Sequence, residues 1–217
     1  MENNNIKSES ELQYWRERVD IEKTLDNEHY TQFYINYLNF EKYEFVNKKI
    51  LDIGCGPRGS LEWADMANLR IGIDPLVNEY YKLNGGTLFH EMKYVNCQSE
   101  NMPFPDNLFD YVFSINSLDH VDNLNETISE IKRVLKVNGI CGIIVEGNHP
   151  PTPTEPISIP LNLKKEFEDS FEIIDERIYE IPNRSRMYEG VDQQIFYDFK
   201  NLNQRPAIII LKMRKIL

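Results

Sequence analysis

The chain is short of several things, and each shortage removes a class of function. No run approaches the roughly 18 to 20 consecutive apolar residues of a membrane span, so no membrane span is expected. The opening MENNNIKSES also lacks the apolar segment of a secretory signal. Cysteine is scarce: Cys55, Cys97 and Cys141 stand alone and far apart. That pattern offers neither a disulfide framework nor a Cys-x-x-Cys metal knuckle. It predicts small buried residues in a reducing cytoplasm, with no metal cluster. Positive charge is the third shortage, 24 basic against 35 acidic residues and a formal net charge of -11. A phosphate backbone would meet net repulsion. The basic groups at Lys48-Lys49 and at Arg184 and Arg186 are too small to reverse it, so nucleic acid is not an expected substrate.

What is present is alternation. The strand candidates KILDI, RIGID, EMKYVN, FDYVFSI and ICGIIVE are separated by helix candidates. The first of these helices is GSLEWADMA, capped by Ser60. The second is PLVNEYYKLNG, stopped by Gly85 and Gly86, and the third is ETISEIKRVLKV, terminated by Asn138-Gly139. Two late strand candidates, FEIIDERIYEI and AIIILKMRK, are joined by a long excursion and suggest an antiparallel closing pair. The pattern predicts an α/β fold: a seven-stranded, mostly parallel sheet with an antiparallel final strand and helices on both faces. Residues 46–217 form this domain, and residues 1–45 a tail and helical cover. Within the cover the Asn-rich opening reads as a loose tail, and Ser10 to Phe45, free of glycine and proline, as mostly helical. Tyr30, Phe33, Tyr34, Tyr37 and Phe40 recur at helical spacing. This stripe either packs on the core or closes over a small-molecule site. At 217 residues the chain accommodates one substantial core, and a monomer or homodimer is expected.

Ten glycines serve the whole chain, and three of them fall within LDIGCGPRGS. Gly54 and Gly56 let the backbone turn closely at the carboxyl end of the first strand, the edge where ligands of open α/β sheets gather. Together with Gly59 they satisfy G-x-G-x-x-G, which alone suggests a dinucleotide. Asp74, closing the second strand, suits vicinal ribose hydroxyls and fits NAD equally well. Asp52 discriminates: a carboxylate beside the loop suits a cationic amino group and offers nothing to a pyrophosphate.

At these residues the chain resembles the class I S-adenosylmethionine-dependent methyltransferases. LDIGCGPRG resembles their first motif and IGIDP the segment after it. CQSENMPFPDNLFDYVFSINSLDHV is similar to their third and fourth strands, and EIKRVLKVNG to the helix and turn before the fifth. The resemblance spans Lys49 to about Glu146 and implies a Rossmann-like sheet with S-adenosyl-L-methionine as cofactor and S-adenosyl-L-homocysteine as product. It implies that Asp52, Gly54, Cys55 and Gly56 hold the methionine portion. Asp74 would meet the ribose, with Pro75 next to it in the cofactor site and Leu76 beside the adenine. Gln98, with Ser99 and Glu100, stands where many relatives place an acid for the adenine amino group. Asn116 follows the fourth strand on the cofactor-facing edge.

In-line methyl transfer asks the protein mainly for alignment, and a hydroxyl acceptor also needs a base. His120, with Asp119 to orient it, is the first candidate, because imidazole as a group titrates near neutrality. His149, in the proline-stiffened EGNHPPTPTEPISIP, is the second, with Glu146 and Glu155 as possible partners. Each also fits a purely structural loop role. Arg184 and Arg186 are available to an anionic acceptor or simply solvated. The expected activity is methylation of a small-molecule acceptor, favouring an oxygen nucleophile, on a sugar or phosphorylated metabolite. N-methylation of a small molecule or protein, and a non-catalytic cofactor-binding regulator, are the alternatives.

Overall fold

The computed structural model describes residues 2–83 and 89–217, with side chains from Ile6 onward. Five parallel strands are built from the sequence's short apolar runs: β1 (Lys49–Ile53), β2 (Leu69–Ile73), β3 (Lys93–Val95), β4 (Phe109–Ile115) and β5 (Leu135–Gly147). Two longer strands, β6 (Phe171–Glu180) and β7 (Ala207–Lys215), complete the sheet in the order β3-β2-β1-β4-β5-β7-β6. β7 runs antiparallel to both β5 and β6, so the expected closing pair is present. After β1 the chain builds outward to β3 and then returns to the other side at β4. This reversal of direction is where open α/β sheets form a crevice beyond their carboxyl edge.

Strand periodicity sends alternate side chains to opposite faces. Leu51 and Ile53 of β1 join Ile128, Ile131 and Val134 of a helix, α4 (Leu124–Val134), in one core. Ile50 faces the other core with Phe33, Tyr34, Phe40 and Phe45. That aromatic segment comprises α2 (Tyr30–Gln32), a π-helical turn (Phe33–Tyr37) and a short 3-10 turn (Lys42–Phe45). Cys55 and Cys141 are buried as expected, and Cys97 is half-buried. Among the described residues no helix is long and apolar enough to cross a membrane.

Three local expectations are corrected. The Asn-rich opening is helical: it begins α1 (Glu2–Glu22), whose Lys7 and Glu22 pair with Asp122 and Arg58. GSLEWADMA forms successive turns instead of a helix. Gly59 adopts φ +78°, and the Ser60 hydroxyl donates to Asp52 and so caps no helix. Trp63 instead packs against Tyr34 and Phe45, with ring centroids 4.9 and 5.0 Å away, so the aromatic segment covers this face. Finally, α4 ends at Val134, and Asn138-Gly139 lies inside β5. Leu135 already pairs with Phe109, and the ladder resumes at Ile140 opposite Tyr111 after an irregularity that Asn138 enters at φ +65°. The helix after β2 is observed as α3 (Val77–Leu83), while its predicted stop at Gly85 and Gly86 lies outside the described residues.

Candidate functional site

A cavity of about 740 Å³ opens where β1, β2 and β4 end, at Ile53, Ile73 and Ile115. The glycine turn forms one wall. Gly54 and Gly56 have φ of +71° and +57°, a region that L side chains enter only with strain. Space is equally restrictive, since a Cβ on Gly54 would lie 2.3 Å from Ser117 Cβ. Ser117 is itself fixed, its hydroxyl donating to the Ile53 carbonyl at 2.6 Å.

The two acids beside this turn occupy different positions. Asp74 lines the cavity, its Oδ1 accepting from Leu76 N–H at 2.9 Å and its Oδ2 from Gly56 N–H at 3.2 Å. Burial pushes its pKa up to about 6, against the lowering effect of those two amides. Asp52 is not on the cavity wall. It sits behind the turn, 2% exposed, and accepts from the Ser60 hydroxyl at 2.5 Å. Burial drives its pKa up to about 7; Ser60 and Tyr34 oppose the rise and Asp74 adds to it. Cys55 also misses the wall, its sulfur packing against Gly72.

Pro75, Gln98, Ser99, Glu100 and Asn116 all line the cavity. Ser99 and Glu100 have structural partners: the Ser99 hydroxyl bonds Thr127, and Glu100 accepts from the amides of Asp122 and Asn123 at 2.7 and 3.0 Å. The Gln98 amide is exposed at the rim, with Nε2 3.5 Å from Asp122 Oδ2. Asn116 holds φ +54°, and its side-chain oxygen is buried with no hydrogen-bond partner among the described residues.

Of the base candidates only His120 lines the cavity. Asp119 is buried behind it, 3.9 Å from His120 Nε2 and 3.6 Å from His149 Nε2. Burial raises the Asp119 pKa, opposed by the neighbouring imidazoles. His149 is 2% exposed and bonds the Pro150 carbonyl through Nδ1.

The remaining walls escape sequence reasoning. α1 lies across the opening and contributes Lys7, Glu11 and Trp15. Trp15 comes within 3.1 Å of the position a Gly56 Cβ would take, and its indole N–H donates to Glu11. Both ends of α1 are tied down. Arg58, from the glycine turn, forms a bidentate pair with Glu22 at 2.6 and 2.7 Å. Lys7 donates to Asp122 at 2.5 Å and to the His120 carbonyl at 2.7 Å. Arg58 within the glycine motif and Trp15 in a helix were the available signals. Tyr30, Phe33, Met187 and Tyr188 add an aromatic wall, so the aromatic stripe supplies core and cavity together. Arg184 pairs with Glu146, and neither Arg184 nor Arg186 reaches the cavity.

Residues 51–143, from β1 into β5, match the family model described as a methyltransferase domain. Over this segment the chain is similar to the class I S-adenosylmethionine-dependent methyltransferases, as its motifs imply. A sterol 24-C-methyltransferase of Gibberella zeae is 37% identical over 103 residues, which are 44% of this chain and 27% of that protein. A sterol 4-C-methyltransferase of Caenorhabditis elegans is 36% identical over 98 residues, 43% of this chain and 29% of that one. The matched segment thus spans little more than a quarter of these relatives. Among solved structures, the [4+2]-cyclase SpnF superposes with a TM-score of 0.60 at 21% identity, covering 81% of this chain and 79% of its own. An S-adenosylmethionine-dependent methyltransferase from Mesorhizobium loti gives 0.56 at 14% identity, covering 79% and 93%. These superpositions establish the fold that this chain shares with them.

Proposed function

We propose that the cavity binds S-adenosyl-L-methionine and delivers its methyl group to a small-molecule acceptor, with an oxygen nucleophile favoured. The observation that carries the reading is Asp74: a carboxylate on the cavity wall, one strand over from a side-chain-free turn at the sheet's switch point. In this reading Asp74 accepts from the ribose hydroxyls and Pro75 and Leu76 flank the adenine. The Gln98 amide and the Asn116 oxygen supply acceptors for amino groups. Asp52 positions the turn through Ser60 and adds negative charge behind it, beneath the cationic end of the cofactor.

Transfer needs the nucleophile, methyl carbon and sulfur in line. The new carbon–nucleophile bond forms as the carbon–sulfur bond breaks, and the electron pair stays on sulfur. The acceptor enters from the side of His120, Glu155 and the aromatic wall. His120 there faces the proton of a hydroxyl acceptor, with Asp119 behind it and His149 beyond Asp119. The wall favours an acceptor with an apolar or aromatic body. The arginines considered for a phosphate lie elsewhere, and an apolar body agrees with the sterol acceptors in the relatives' names. N-methylation remains the alternative, since the acceptor itself supplies the nucleophile.

The test is incubation of the purified chain with methyl-labelled cofactor and parallel panels of phenols, sterols, amines and sugar phosphates. Label on an oxygen of a small molecule is the expected result. Label on a sterol carbon, or confined to amines or to protein, would overturn the oxygen assignment. Cofactor binding without transfer to any panel or to a cell metabolite extract would support a regulatory binding protein instead.

A further inference from the structure

Holding a cofactor does not account for the polar cluster at the acceptor end of the cavity. Asp119 and His120 share the 3-10 turn Leu118–His120 after β4, and Glu155 comes from the proline-rich segment after β5. One carboxylate oxygen or imidazole nitrogen from each lies within 4.8 Å of the other two. Asp119 is 1% exposed, and its Oδ1, the oxygen facing His120, has no hydrogen-bond partner among the described residues. Leaving a buried carboxylate oxygen without a donor is costly.

The other oxygen sharpens the point. Asp119 Oδ2 faces His149 Nε2 at 3.6 Å, and that nitrogen is also buried without a hydrogen-bond partner among the described residues. His149 Nδ1 bonds the Pro150 carbonyl at 2.9 Å. A carbonyl only accepts, so Nδ1 is the donor there and Nε2 is the nitrogen that faces the carboxylate. The unpartnered Oδ1 of Asp119 thus meets His120 and Glu155 at the cavity wall, and this set of oxygen and nitrogen atoms suits a cation.

We propose that Asp119, His120 and Glu155 form a site for a divalent first-row transition metal, with His149 positioning Asp119 from behind. The proposal rests on the acceptor-site reading above and deepens it. An imidazole with two carboxylates suits zinc, manganese or iron; magnesium and calcium prefer oxygen ligands throughout. Two ligand atoms about 2.1 Å from a tetrahedral zinc lie about 3.4 Å apart. The 3.9 Å between Asp119 and His120 therefore needs only a small side-chain movement.

His120 and Glu155 line the cavity while Asp119 lies behind them, so the fourth position opens toward the acceptor. A hydroxyl bound there becomes more acidic and releases its proton to solvent water. Its oxygen then attacks the methyl carbon, and the sulfonium leaves as a thioether. In the loaded protein His120 is a ligand and does not itself take the proton.

The experiment is calorimetric titration of Zn²⁺ into the chelator-treated full chain in a non-coordinating buffer. One equivalent should bind at micromolar concentration or below. His120→Ala and Glu155→Gln should each weaken it at least tenfold, while His90→Ala, remote from the cluster, should leave it unchanged. Titration of each protein with S-adenosylhomocysteine reports whether its cavity is intact. No Zn²⁺ uptake by the wild-type chain, or equal uptake by wild type, His120→Ala and Glu155→Gln, overturns the metal site. If the wild-type chain takes up Zn²⁺ but not the cofactor or its product, the methyltransferase reading falls instead.

Discussion

Asp74 and Asp52 are each asked to do two things that oppose one another. Both are buried, and both folded-state pKa values lie above the ordinary aspartate value, at about 6 and about 7. The folded chain therefore holds these protons more tightly than the unfolded chain. Their contribution to stability is fully present below about pH 4 and is lost as pH rises through about 6 and then about 7. Asp74→Asn should accordingly raise the thermal midpoint of the cofactor-free protein at pH 8. The same change should weaken cofactor affinity by about 10- to 100-fold, the range for losing a charge-assisted contact. A lowered midpoint with unchanged affinity would remove Asp74 from the ribose role. Wild-type affinity should rise between pH 5 and 7 as Asp74 ionises; a flat calorimetric profile would contradict that. Gly54→Ala combines a left-handed backbone with a clash at Ser117. It should lower the thermal midpoint by at least about 4 °C. Asp74 is legible in the sequence because it ends a short strand next to the glycine motif. The concealment of Asp52 is not, because Ser60 and Tyr34, eight and eighteen residues away, decide where its carboxylate turns.

At the level of elements, strands are legible and their covers are not. Short apolar runs announce β1, β2, β4, β5 and β7, since a strand buried on both faces has little freedom in composition. The turns in place of a helix at GSLEWADMA depend on packing by Tyr34 and Phe45 from a distant segment. α1 is largely polar, and its placement rests on Leu12 and Trp15 packed with Leu76 and Tyr80 and on Lys7–Asp122 and Arg58–Glu22, pairs 115 and 36 residues apart in sequence. Such pairs leave no local periodicity to find. They make α1 a cover fastened at both ends. Arg58→Ala should speed cofactor release by about tenfold, as expected when a lid loses an anchor, and expose the segment after Glu22 to protease. Stopped-flow displacement and limited proteolysis measure the two effects. Unchanged release and cleavage would make α1 a fixed wall.

For the whole molecule, the sheet order, the cavity at the switch point and the family match support one another. Beyond residues 51–143 lie α1, much of the aromatic wall and the segment carrying Glu155. Asp119, His120 and Glu155 come from two separate segments, 35 residues apart between His120 and Glu155, a spacing that matches no metal motif. The chain's central claim to function is occupancy of this cavity by a sulfonium nucleoside. Calorimetric titration of the full chain with S-adenosyl-L-methionine, alongside NAD, tests it most directly. One cofactor molecule should bind per chain at micromolar concentration, with Asp74→Ala abolishing the heat and NAD giving none. Binding of NAD in its place, or uptake of S-adenosyl-L-methionine undiminished by Asp74→Ala, would contradict the account.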